Sequence, residues 1–291
     1  MKTLNIDRCF RIALMMLHTL FLTGMSSHAQ ETVPSKRHLV YKQVDTVSLF
    51  MDIYYPPDMD QTATFPAMIF FFGGGWKGGS VNQFKPHALY FSGRGIICIL
   101  ADYRVESRQG TSPFESLKDA KSAIRFIRKN SGQLQVDPDR IIAAGGSAGG
   151  HLAAATALIS KYNEAGEDLS VSCVPNALVL FNPVIDNGPG GYGYERIGDA
   201  YWEFSPLHNI SKDVPPTIFF LGTDDELIPV ETAKYYQKVI ERVGGRCDLF
   251  LYEGQAHGFF NFRNREYYDK TVRETEKFLI SLGYLNSEPD I

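Results

Sequence analysis

Short apolar runs recur along this chain, and amphipathic stretches separate them. Phe65 to Phe72, Ile96 to Ala101, Arg140 to Ala144, Asn176 to Phe181, Thr217 to Gly222 and Asp248 to Tyr252 are each too brief for a helix and suit strands buried on both faces. Between them lie helical patterns over 113–130, 148–161, 230–243 and about 266–281. In the first, Phe114, Leu117, Ala120, Ile124 and Ile127 recur at three- and four-residue steps. Repeated strand–helix–strand units close only as a mostly parallel central sheet with helices on both faces. Two alternating stretches, His38 to Val44 and Thr46 to Tyr55, end at Pro56-Pro57 and read as a hairpin, giving an antiparallel N-terminal edge. No internal repeat or linker divides the chain. One stretch, 183–213, leaves the rhythm: it is rich in Gly, Pro and aromatics and too long for a simple loop, so it is expected to be a lid or pocket wall.

The charge balance narrows the partners. The formal net charge is −4 and no run of Lys or Arg occurs, so neither nucleic acid nor an anionic membrane surface is an expected partner. The first residues set Lys2, Arg8 and Arg11 before a mostly apolar stretch from Ile12 to Met25, then Ser27-His28-Ala29. This pattern predicts a signal peptide over 1–29, cleaved before Gln30, and a secreted or periplasmic protein with no membrane span after cleavage; an uncleaved N-terminal anchor is the alternative. Residues 30–291 are expected to form a single domain. Beyond residue 29 the chain has Cys98, Cys173 and Cys247, an odd count that is no disulfide framework. Cys98 sits in an apolar run, and Cys173 and Cys247 are expected to be free thiols. No ligand cluster suggests a metal, and no cofactor is expected.

Gly145-Gly146-Ser147-Ala148-Gly149 is a G-x-S-x-G pattern between an apolar strand and an apolar helix. A sharp strand-to-helix turn exposes the serine oxygen, and small neighbours are needed where the backbone is crowded. A serine hydroxyl needs a base, and the base an orienting acid. His38 and His87 precede the serine, His151 lies four residues beyond it on the helix behind, and His208 falls in the irregular segment. His257, in a loop after the last strand, can swing an imidazole to the serine. The acid belongs on the loop after the preceding strand, where Asp224, Asp225 and Glu226 stand in a row; spacing does not choose among them. Donors for a tetrahedral oxyanion are expected from the Ala148 amide and from the loop Phe72-Gly73-Gly74-Gly75-Trp76.

Over about residues 40–282 the chain resembles α/β-hydrolase fold serine esterases of the hormone-sensitive-lipase-like carboxylesterase and bacterial acetylesterase family. The resemblance rests on the glycine loop with its Trp, on Asp102-Tyr103-Arg104, on the GGSAGG elbow with His151-Leu152-Ala153, and on G-T-x-D-x-x-x-P followed by A-H-G. It implies Ser147, Asp225 and His257 as catalytic residues and Gly74, Gly75 and Ala148 as oxyanion donors. The chain departs from the family at Phe72, where relatives usually have a His that supports the loop, and it lacks the long N-terminal cap of many lipase-like members. The 183–213 stretch, with Tyr192, Tyr194, Tyr201, Trp202 and Phe204, would supply the pocket wall instead. Trp76, Tyr201 and Trp202 are the candidate substrate-binding residues. The expected activity is hydrolysis of small-molecule or carbohydrate carboxylic esters, acetyl groups on polysaccharide among them. A peptidase or arylformamidase with the same triad, and a catalytically inactive binding protein on the same fold, are the alternatives.

Overall fold

The computed structural model describes residues 35–57, 59, 60 and 62–287. The apolar runs form one eight-stranded sheet: β1 (Lys36–Val44), β2 (Val47–Tyr54), β3 (Phe65–Phe71), β4 (Ile97–Ala101), β5 (Val136–Gly146), β6 (Ala177–Phe181), β7 (Thr217–Gly222) and β8 (Cys247–Tyr252). Their order is β1-β2-β4-β3-β5-β6-β7-β8. The β1–β2 and β2–β4 pairs are antiparallel and the other pairs parallel, so the hairpin forms the expected antiparallel edge. β4, β6 and β7 are buried along their whole length, as strands covered on both faces must be.

Successive side chains of a strand go to opposite faces. Ile69 and Phe71 of β3 therefore pack into one core, while Met68 and Phe70 pack into the other. Helices α2 (Pro113–Lys129), α3 (Ala148–Leu158) and α4 (Val230–Arg242) cover the first core. Helices α1 (Lys85–Gly93) and α5 (Arg265–Ser281) cover the second. Each fully buried Ile or Phe contributes roughly 1.5–3 kcal/mol relative to exposure. The start of α2 is specified locally. The Ser112 side chain accepts from the Phe114 amide, Glu115 reaches back to the Ser112 amide, and Pro113 takes the first turn, where no N–H is needed.

Helix α1 was not expected from the sequence. Its buried positions, His87, Ala88, Phe91 and Ser92, follow Phe84 at helical spacing, but two of them are polar, so the apolar period is broken. The segment between β6 and β7 is not one long loop: it folds into short helical turns at Tyr194–Ile197, Gly198–Ala200, Tyr201–Phe204 and Pro206–Asn209. Ile185, Ile197 and Phe204 anchor it in the first core. The described residues form one compact unit. Cys98, Cys173 and Cys247 are buried free thiols, as expected. Among the described residues no helix is long and apolar enough to cross a membrane. The signal-peptide reading over 1–29 lies outside the described residues.

Candidate active site

Ser147 stands between the end of β5 and the start of α3 with φ 54° and ψ −121°, a strained conformation for a residue with a side chain. The turn is fixed by its neighbours. The Ser147 amide donates to the Phe181 carbonyl (3.0 Å), and the Ser147 carbonyl accepts from the amides of His151 and Val184 (3.0 and 3.1 Å). Gly149 has no alternative, because a Cβ there would lie 2.0 Å from the Phe71 carbonyl oxygen. The apolar strand, the tight turn and the small-residue helix together push the hydroxyl out of the sheet.

His257 reaches this hydroxyl from the loop after β8. Its Nε2 lies 2.9 Å from Ser147 Oγ, and its Nδ1 lies 2.7 Å from Asp225 Oδ2. The three acids after β7 differ in what they face. Asp224 and Glu226 are exposed, whereas the Asp225 carboxylate is fully buried. Its second oxygen accepts from the amides of Leu227 and Ile228 (2.9 and 3.0 Å), which fixes the carboxylate plane against the imidazole. The site thus holds a hydroxyl, an imidazole and a buried carboxylate in one hydrogen-bonded line.

The glycine loop follows β3. Among the described residues no protein acceptor takes the amides of Gly74, Gly75 or Ala148, whereas the Gly73 amide donates to Gln83 Oε1 (2.7 Å). The Ala148 amide also opens α3, where the helix end favours negative charge. Phe72 replaces the family's supporting His, and the structure shows what holds the loop instead. The Tyr103 hydroxyl donates to the Phe72 carbonyl (2.6 Å), and the two rings stack at 4.1 Å. The neighbours of Tyr103 secure it: Asp102 accepts two bonds from Arg108, and Arg104 makes a bidentate pair with the buried Asp119 of α2. All three residues of Asp102-Tyr103-Arg104 therefore support the loop.

A cavity of about 310 Å³ opens over Ser147 and His257. Gly73, Gly74, Gly75, Gln83, Asn182, Tyr192, Leu227, Asn261 and Arg263 are among its walls. Trp76, Tyr201 and Trp202 are not, which corrects the expectation that they bind substrate. Trp76 is 1% exposed: its side chain turns under the glycine loop, edge-on to His151 at 5.0 Å, with the Arg196 guanidinium over its ring. Trp202 is 61% exposed and packs on Tyr201 and His208, on the outer side of the segment after β6. The aromatic that this segment does bring to the cavity is Tyr192, whose hydroxyl lies 2.3 Å from where a Cβ on Gly75 would be. His151 is sealed beneath the elbow. Its Nε2 is 2.9 Å from the Phe204 carbonyl, and burial pushes its pKa down to about 3, so it stays neutral.

Sequence reasoning passed over Asn182, Gln83 and Asn261. Asn182 is fully buried with φ 35°. It accepts from the Gly258 amide (2.9 Å), and its Nδ2 lies 3.4 Å from His257 Nε2. A lone Asn before a proline gave no signal beyond a turn.

Residues 51–187 match the BD-FAE family model, and residues 197–281 match that of the dienelactone hydrolase family. Among solved structures, Thermogutta terrifontis esterase 2 phosphoramylated by tabun is 42% identical, with a TM-score of 0.84 over 88% of this chain and 98% of that one. The chain belongs to the α/β-hydrolase-fold esterases. The same Thermogutta enzyme with butyrate bound matches at 41% identity and a TM-score of 0.83, over 88% of this chain and 97% of that one. A probable isoprenylcysteine alpha-carbonyl methylesterase of Arabidopsis thaliana is 30% identical over 71% of this chain and 48% of its own length. An acetylxylan esterase of Xylanibacter ruminicola is 26% identical over 65% of this chain and 40% of its own length. The chain thus spans about half the length of the curated relatives it matches, and nearly all of the Thermogutta enzyme.

Proposed function

We propose that the protein hydrolyses small carboxylic esters through an acyl-enzyme on Ser147. The observation that carries this reading is the line from Ser147 Oγ through the two nitrogens of His257 to the buried Asp225 carboxylate. Ser147 Oγ attacks the ester carbonyl and gives its proton to His257 Nε2. Asp225 holds the Nδ1–H and stabilises the imidazolium. The carbonyl oxygen becomes an oxyanion, which the amides of Gly74, Gly75 and Ala148 receive. When the tetrahedral species collapses, the carbon–oxygen bond to the alcohol breaks and His257 returns the proton to that alcohol. Water then attacks the acyl-serine with the same base, releasing the acid and restoring Ser147.

Short acyl groups are the proposed substrates. The cavity volume and the Tyr192 hydroxyl beside Gly75 favour a small acyl chain, and the butyrate bound to the Thermogutta enzyme is of that size. Acetyl groups on a glycan are the preferred natural case, with the acetylxylan esterase among the relatives in support. The 183–213 segment serves as a pocket wall through Tyr192. Export belongs to the same proposal, with residues 1–29 as a signal peptide and a secreted or periplasmic enzyme as the result. An organophosphonate should label Ser147 stoichiometrically, and Ser147→Ala should abolish labelling and the hydrolysis of nitrophenyl acetate. Labelling at another serine, or turnover retained by Ser147→Ala, would overturn the reading.

A further inference from the structure

One chain of hydrogen bonds runs from the glycine loop to the histidine loop. The Gly73 amide donates to Gln83 Oε1 (2.7 Å), and Gln83 Nε2 donates to Asn261 Oδ1 (3.0 Å). Asn261 Nδ2 donates to the Gly258 carbonyl (2.8 Å), and the Gly258 amide donates to Asn182 Oδ1 (2.9 Å). Gly258 follows His257 directly, and Gly73 precedes the amides assigned to the oxyanion. We propose that Gln83 is a positioning residue which, through Asn261, fixes the oxyanion-binding loop relative to the loop that carries the base. The proposal rests on the mechanism given above for Ser147.

That mechanism needs such a link. The donors and the base sit on two loops from opposite ends of the chain, and loops are the parts of a fold that move most. A proton transfer and a developing oxyanion must nonetheless be met in one geometry, and a misplacement of about 1 Å is enough to cost on the order of 100-fold. Amide side chains suit the task because each offers an acceptor and a donor. The Gly73 N–H takes the Gln83 oxygen, which leaves the Gln83 nitrogen for the Asn261 oxygen and the Asn261 nitrogen for the Gly258 carbonyl. The direction of every bond follows from the first. Amides do not ionise, so the link adds no charge that would compete with the oxyanion and does not change with pH. It also occupies the Gly73 amide, leaving Gly74 and Gly75 as the loop's free donors.

Packing brings the two ends together. Gln83 lies in a single turn, Val81–Phe84, capped by Ser80, whose hydroxyl accepts from the Asn82 amide. The next residue, Phe84, is buried and stacks on Phe260 with ring centres 5.6 Å apart and planes 16° apart. Phe260 in turn precedes Asn261. The stacked pair therefore holds Gln83 and Asn261 in reach although 178 positions separate them.

The test compares Gln83→Met, Asn261→Ala and the double variant, with Ser147→Ala in parallel, on nitrophenyl acetate. Gln83→Met keeps the length of the side chain and removes both polar ends. We expect kcat to fall about 10- to 100-fold, with KM within about threefold of the parent and the unfolding midpoint little changed. Asn261→Ala cuts the same link at its far end and carries the same expectation if Gln83→Met does not fold. The double variant should be no slower than the worse single variant, because a severed link is not severed twice. Unchanged kcat in the single variants would overturn the proposal, as would losses that multiply in the double variant. With Ser147→Ala inactive, either result counts against the link alone; turnover by Ser147→Ala counts against the mechanism on which it rests.

Discussion

His87 offers a direct test of how the second core is built. The residue is fully buried on α1, with its ring against those of Phe70, Phe84, Phe181, Phe260 and Tyr268. Neither ring nitrogen has a hydrogen-bond partner among the described residues. Burial alone pushes its pKa down to about 3, so the folded protein keeps the imidazole neutral. The unfolded chain protonates the same ring below about pH 6.5. Between those two values the unfolded state binds one more proton, so stability falls as pH falls, by about 1.4 kcal/mol per unit. From about pH 7.5 to about pH 5 the His87 contribution is a loss of about 2 kcal/mol. His87→Leu puts an apolar side chain of similar size in its place and removes the titration. Urea unfolding of both proteins at these two pH values should show the variant losing about 2 kcal/mol less than the parent. His151, also held neutral by burial, is present in both proteins and cancels. At the higher pH the variant should be at least as stable as the parent, since an unpartnered polar ring is costly to bury. An identical pH dependence in the two proteins would refute the reasoning, because it would mean that the folded state accommodates the protonated ring.

Three further outcomes follow from the site. Asp225→Asn should lower turnover by on the order of 10³–10⁴, as loss of the orienting acid does in a serine protease, with unfolding little changed. Asp224→Asn and Glu226→Gln, which alter exposed groups, should change kcat on nitrophenyl acetate only modestly, and a crippled Asp224→Asn would remove Asp225 from the triad. Trp202→Ala should leave kcat/KM within about twofold on nitrophenyl acetate and on an acetylated oligosaccharide alike, since a side chain outside the cavity carries little transition-state binding. A selective loss on the oligosaccharide would return Trp202 to substrate binding.

The sequence alone determined the sheet, its antiparallel edge, the elbow at Ser147 and which histidine lies beside it, because each is written locally. A strand or helix period, a glycine-rich turn between the two, and a histidine just after the last strand are each patterns that span only a few neighbouring residues. The acid was legible only to within three neighbours, and family resemblance selected Asp225. The tertiary structure supplies the physical reason: this carboxylate alone of the three turns inward, onto His257 Nδ1 and two backbone amides. Helix α1 is not legible in the sequence because His87 and Ser92 occupy core positions that an apolar pattern would fill. The sequence does not separate Trp76 and Trp202 from cavity-lining residues, because an aromatic in a loop looks the same in sequence whether it lines a cavity, packs beneath a backbone turn or faces solvent. The link from Gln83 to Asn261, and the support of Phe72 by Tyr103, join residues far apart in the chain. No local pattern encodes such pairs; they exist only once the two cores have packed and brought the loops at one end of the sheet within hydrogen-bonding distance.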